Sequence, residues 1–138
     1  MTIRTLLDAG ANNAVALTAP DRPAMTYAAL RRHVDSVGRQ LAGNGFGPSD
    51  RVAIVLPNGP EIASAFMAVA AYMSAAPLNP AYKESEYAFY LEDLAPKLVI
   101  VEAGGENPVR AGASALSMPV VEAVVANNDP AGAFRLFE

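Results

Sequence analysis

Apolar residues recur along this chain with two different periods. From Thr26 to Gly43, Leu30, Val34, Val37 and Leu41 mark one face of a helix, and Arg31, Arg32, Asp35 and Arg39 take the other side. Thr26 is placed to cap that helix, with Met25 and Leu30 as a hydrophobic staple. Gly43 and Gly45 supply a left-handed stop. Val52 to Leu56 is an unbroken apolar run, the pattern of a parallel strand buried on both faces. Pro57-Asn58-Gly59-Pro60 breaks it. Asn58 is then positioned to cap a second helix, with Glu61 at the capping-box position. In that helix Ile62, Phe66, Val69 and Met73 line one side, and Ala63, Met67, Ala70 and Ser74 the other. A helix apolar all round is expected to be buried all round.

A short strand is expected over Ala75 to Leu78, followed by Asn79-Pro80. Lys83 to Leu94 reads as a third helix, with Tyr87, Tyr90, Leu91 and Leu94 inward and Glu84 and Glu86 in its first turn, where the helix dipole favours acids. Pro96 ends it. Lys97 to Glu102 is a second strong buried strand. A Gly-Gly loop, a weaker helix near Pro108 to Leu116 and a strand near Pro119 to Val125 follow. The segment 126–138 reads as loop, with Phe134, Leu136 and Phe137 able to form a last short strand. Helix and strand alternate throughout, so the expected fold class is α/β: a mostly parallel sheet flanked by helices in Rossmann-like βαβ units. In such sheets ligands bind beyond the carboxyl ends of the strands, here Pro57-Asn58, Asn79-Pro80 and Ala103-Gly104-Gly105.

Composition removes several classes of function. The net charge of −4 leaves no basic excess for phosphate backbones, so no nucleic-acid partner is expected. Without cysteine there is no disulfide framework, thiolate metal site or thiol nucleophile. The uncharged stretch Ile62 to Leu78 is short for a bilayer and contains Pro77, so no membrane span is expected. The N-terminus lacks a long apolar segment of the secretory kind, and a cytoplasmic location is the expectation.

Candidate chemistry is sparse. Gly43-Asn44-Gly45-Phe46-Gly47 runs from helix to strand, whereas a phosphate cradle requires strand, loop, helix. Gly104-Gly105 has the right order but no Lys or Ser/Thr partner. His33, at the margin of the first helix's apolar face, has no Ser or carboxylate placed beside it by sequence. Glu84/Glu86 and Glu92/Asp93 are read as solvated helix acids, and Tyr82, Tyr87 and Tyr90 as a core stripe with wet hydroxyls. No residue is assigned a catalytic, cofactor-binding or metal-binding role.

Three strings taken together identify a relationship. Met25 to Leu30 (MTYAAL), Gly47 to Glu61 (GPSDRVAIVLPNGPE) and Ala76 to Tyr82 (APLNPAY), followed by KLVIVE, resemble the start of an AMP-forming acyl-CoA synthetase. These enzymes form the adenylate-forming superfamily, and the resemblance covers about residues 3–125. The NPAYKESEYAFYLEDL form looks most like the oxalate- and fatty-acid-CoA-ligase-like members. The resemblance implies that residues 1–138 are an N-terminal subdomain of a larger AMP-binding domain. The full enzyme would use ATP, Mg and CoA, with the rest of the ligase chain as this segment's partner. The family's Ser/Thr/Gly-rich phosphate loop is not in the sequence, so the chain alone is expected to be inactive scaffold, without cofactors of its own. Asn58 and Asn79 would lie on loops walling the carboxylate pocket. The resemblance also implies that further layers cover the apolar helix 62–73, and self-association through it is expected without them. The alternative is a stand-alone α/β module that binds a small ligand or a partner. Two departures are local: Ala29 stands where the family often has Glu, and Lys83 where it often has Thr or Ser.

Overall fold

The computed structural model describes residues 1–137. A short helix α1 (Ile3–Leu6) and a 3-10 turn (Leu7–Ala9) lead into a hairpin of β1 (Val15–Leu17) and β2 (Met25–Thr26). Then come α2 (Tyr27–Gly43), β3 (Arg51–Val55), α3 (Pro60–Ala70), β4 (Ser74–Pro77), α4 (Glu84–Leu94), β5 (Leu98–Glu102), α5 (Val109–Ala115), β6 (Val120–Val124) and β7 (Arg135–Phe137). The main sheet has five strands in the order β4-β3-β5-β6-β7. All its pairings are parallel except the last, in which β7 runs antiparallel to β6.

The strand alternation divides the core. Val52, Ile54 and Ile100 point to one face, where they meet Val34 and Leu41 of α2 and Ala65 and Val69 of α3. Ala53, Val55, Val99 and Val101 point to the other, against Tyr87 and Leu91 of α4 and Val109 and Ala113 of α5. The step from β3 to β4 uses that first face, and the two steps in the opposite direction use the second. All three crossovers therefore share one hand, as parallel connections do.

Several local expectations hold. The Thr26 hydroxyl accepts the Ala29 N–H at 3.2 Å, and Met25 and Leu30 are both buried beside it. Gly45 closes α2 in the left-handed region, at φ 89°, while Gly43, expected to share that role, is the last residue of the helix itself. Lys83 heads α4 without a side-chain cap, and its own N–H donates instead to Glu86 Oε1 at 3.2 Å.

Others are corrected. Asn58 does not cap α3: Gly59 is the cap residue and makes no side-chain bond, because Pro60 takes the first helical position that its missing N–H suits. Glu61 turns to Arg22 rather than completing a capping box. α3 stops at Ala70, and Met73 is buried in the turn ahead of β4, so the expected helix 62–73 is shorter. Nor is α3 buried on every side, since Phe66 is 41% exposed. Within the segment 126–138 the last short strand allowed for by Leu136 and Phe137 does form, as Arg135–Phe137 paired with β6; residue 138 lies outside the described residues. The hairpin and α1 have no counterpart in the sequence reading. Of the tyrosine stripe only Tyr87 is core, while Tyr82 and Tyr90 stack on each other, half-buried, with ring centroids 5.1 Å apart.

Candidate functional site

Strand order reverses between β3 and β5, since β4 is added beyond one and β6 beyond the other. The loops leaving a reversal point part to opposite faces, and the gap between them is where this architecture holds ligands. Here the gap lies between Pro57-Asn58-Gly59 and Ala103-Gly104-Gly105. Two crevices open on it. One, of about 250 Å3, lies beside the start of α3 and includes Asn58, Arg22 and Glu61 in its lining. The other, of about 280 Å3, lies by the loops entering α4 and α5, with Pro80, Glu106 and Asn107. Pro57 and Glu102 line both.

Each wall is fixed by a polar tie. Arg22 pairs with Glu61 and donates to the Pro130 carbonyl at 3.0 Å, joining the hairpin loop, α3 and the segment before β7. Asn107 donates to the Pro80 carbonyl at 2.9 Å and accepts the Val109 N–H at 2.8 Å, joining the entries of α4 and α5. Arg110 donates to Glu122 Oε2 at 2.7 Å, and the Gly104 N–H reaches the same oxygen at 3.0 Å. The Arg110 guanidinium first, and then the Gly104 amide, hold the Glu122 carboxyl below the usual carboxylate range.

The two candidate asparagines have different surroundings. Asn58 lines the first crevice. Asn79 lines neither: its Oδ1 accepts the Ala81 N–H at 2.9 Å and its carbonyl takes the Tyr87 hydroxyl at 2.7 Å, so it shapes the turn that presents Pro80. His33 packs edge-on against Phe134, with centroids 4.5 Å apart, and burial alone lowers its pKa. Glu84, Glu86, Glu92 and Asp93 lie exposed on α4. Neither His33 nor any of these four acids lines either crevice. Arg22 and Glu102 do, and sequence reading passed over them. Arg22 sits in a hairpin loop with no periodic pattern. Glu102 was legible only as the last residue of KLVIVE, one step past the apolar run.

The chemistry of these strand ends does not suit a triphosphate. Pro60 removes an N–H at the start of α3, and Glu61 adds a carboxylate there. Glu102 and Glu106 bring more negative charge to the same crevices. No residue here offers the Lys or hydroxyl that nucleotide loops use. The crevices can form a polar wall, but they cannot by themselves neutralise phosphates.

Comparison with known proteins gives a consistent result. The model of the family described as AMP-binding enzyme matches residues 8–134. A probable CoA ligase, CCL9, of Humulus lupulus is 39% identical over 106 residues, which is 76% of this chain and 20% of that protein. The oxalate–CoA ligase of Arabidopsis thaliana is 36% identical over 121 residues, 80% of this chain and 24% of that one. Among solved structures, apo MatB from Rhodopseudomonas palustris superposes with a TM-score of 0.75 at 23% identity, over 88% of this chain and 25% of that chain. At that identity the superposition speaks for the fold. The chain thus spans about a fifth to a quarter of the length of these relatives.

Proposed function

The chain belongs to the AMP-binding enzyme family, and on that premise we propose that residues 1–138 act as the N-terminal subdomain of an AMP-forming acyl-CoA synthetase. In this reading the whole ligase joins a carboxylate to CoA at the expense of ATP, releasing AMP and pyrophosphate. ATP, Mg and CoA belong to that whole enzyme, and its location is cytoplasmic. This chain supplies the parallel sheet and, through the Asn58 and Asn79 loops, part of the wall around the acid. The observation that supports it most strongly is 39% identity to a CoA ligase over most of this chain but only 20% of the ligase.

The surface of α3 fits the same reading. Its polar residues are turned inward: Ser64 is buried and Glu61 is paired with Arg22. Its outward strip is Ala63, Phe66 and Ala70, flanked by Ile62 and Met67. A helix that hides its polar groups and shows apolar ones expects a covering layer. The rest of the ligase is that layer, and a chain lacking it self-associates through the strip.

Transferring phosphates need positive charge or oriented donors around them. These strand ends have neither in the right place, so the 138-residue chain alone catalyses no ATP–pyrophosphate exchange with any carboxylate. Exchange by the purified chain, abolished by substitutions at Asn58 or Glu102, would overturn the scaffold role.

A further inference from the structure

At the opposite end of the sheet, where β3 and β4 begin, α2 and the turns around it enclose a cleft of about 520 Å3, a volume ordinary for small-molecule sites. Its floor is apolar, made by Phe46, Pro48, Met73 and the ring of Tyr72. That ring lies against α2 because position 38 is glycine: a Cβ there would come 2.4 Å from Tyr72 Cδ2.

The rim carries two guanidiniums, Arg4 and Arg39, and one carboxylate, Asp35. Asp35 is fully engaged. It accepts Arg4 Nε at 2.7 Å, Arg4 Nη2 at 3.1 Å and the Tyr72 hydroxyl at 2.5 Å. Arg4 also reaches Asp8 at 2.8 Å, so each of its three nitrogens donates to a carboxylate. Arg39 makes no ion pair among the described residues. Counting Asp8, the charges around the rim balance, and Arg39, whose charge also acts on Asp35, is the rim cation not held in an ion pair.

We propose that this cleft is a second ligand site, taking a small amphipathic monoanion with its apolar tail on the Phe46–Met73–Tyr72 floor and its head on Arg39. The tail covers apolar surface that water otherwise wets. The planar guanidinium fork matches a carboxylate in two parallel hydrogen bonds. The site is separate from the strand-end crevices and stands whether or not the ligase reading holds.

Hexanoate titrated into isotopically labelled chain tests it by NMR. Saturable shifts are expected at Tyr72, at the Met73 methyl and at Arg39. Arg39→Gln, an exposed change on α2, lowers hexanoate affinity about tenfold, the worth of one charge-assisted pair. 1-Hexanol, with the tail and no charge, binds the unsubstituted chain about tenfold more weakly. Ala42→Trp, at a second exposed position of the lining, blocks hexanoate by filling the cleft. Equal affinity for Arg39→Gln and the unsubstituted chain overturns the proposal, as does the lack of any saturable shift. Shifts confined to Asn58 and Glu102 also overturn it, while leaving the proposed function intact.

Discussion

The hydroxyl of Ser64 donates to the carbonyl of Gly132 at 2.5 Å, with both residues buried. Ser64 is on α3 and Gly132 is in the segment that leads to β7, so one hydrogen bond ties the second covering helix to the edge of the sheet. The same region holds the Arg22–Glu61 pair and the Ala131 N–H to Pro23 carbonyl bond at 2.8 Å. Replacing Ser64 by Ala strands the Gly132 carbonyl without a donor. A buried acceptor left unsatisfied costs about 1–3 kcal/mol. Urea unfolding of Ser64→Ala is expected to show that loss with an unchanged slope. An unchanged midpoint would mean the bond contributes nothing net.

Gly38 and Tyr72 give a second prediction. A methyl group at position 38 meets the Tyr72 ring at 2.4 Å, and swinging the ring away breaks its hydroxyl bond to Asp35. Gly38→Ala is therefore expected to destabilise the fold by about 1–3 kcal/mol, the range for overpacking. In the Tyr72→Ala background the same change should cost far less, which a double-mutant cycle reads directly. Equal costs in both backgrounds would show that helix backbone effects, not the ring, decide.

His33 makes stability depend on pH. In the unfolded chain its imidazole takes up a proton near its ordinary value of about 6.5. In the fold burial lowers that value, and Nε2 is buried with no hydrogen-bond partner among the described residues. Between the two values the unfolded state binds more protons, so stability rises with pH. The contribution is complete above about pH 6.5 and declines as the pH falls toward the folded value. Chemical unfolding measured from pH 5 to pH 8 should show this slope, and His33→Gln should flatten it. Asp35 acts at lower pH. Its hydrogen bonds from Arg4 lower its pKa first, burial opposes them, and the Tyr72 hydroxyl adds to the lowering. Its contribution is present above the unfolded carboxylate value and is lost as pH falls through the folded one.

Phe66 gives a prediction about association. It is 41% exposed at the centre of the apolar strip on α3. Sedimentation of the chain alone is expected to show concentration-dependent self-association, and Phe66→Glu should shift it toward monomer. If the two chains sediment alike as monomers, α3 needs no cover.

How much of this was legible in the sequence depends on how local the cause was. Thr26, the Leu30–Leu41 stripe and the Val52–Leu56 run specify α2 and β3 by themselves, because capping and burial on both faces leave short-range patterns. The start of α3 was misread because Asn58 and Pro60 both suit a helix entry, and only the position of Pro60 decides between them. The β1–β2 hairpin was missed because its strands are three and two residues long. β7 was only half-visible, since a three-residue edge strand depends on β6 beside it. The strand-end loops could be placed from topology alone. The cleft under Tyr72 could not, because it joins residues 4, 35–48 and 72–73, and nothing in sequence links Gly38 to a ring more than thirty positions away.

On the proposed reading, this chain supplies a subdomain of an acid-activating ligase. The most direct test grafts residues 1–138 in place of the matching segment of the Arabidopsis thaliana oxalate–CoA ligase and measures oxalate-dependent ATP–pyrophosphate exchange. Exchange by the graft, with none from the chain alone, is the predicted result. A graft that folds and binds ATP yet exchanges no pyrophosphate would contradict it.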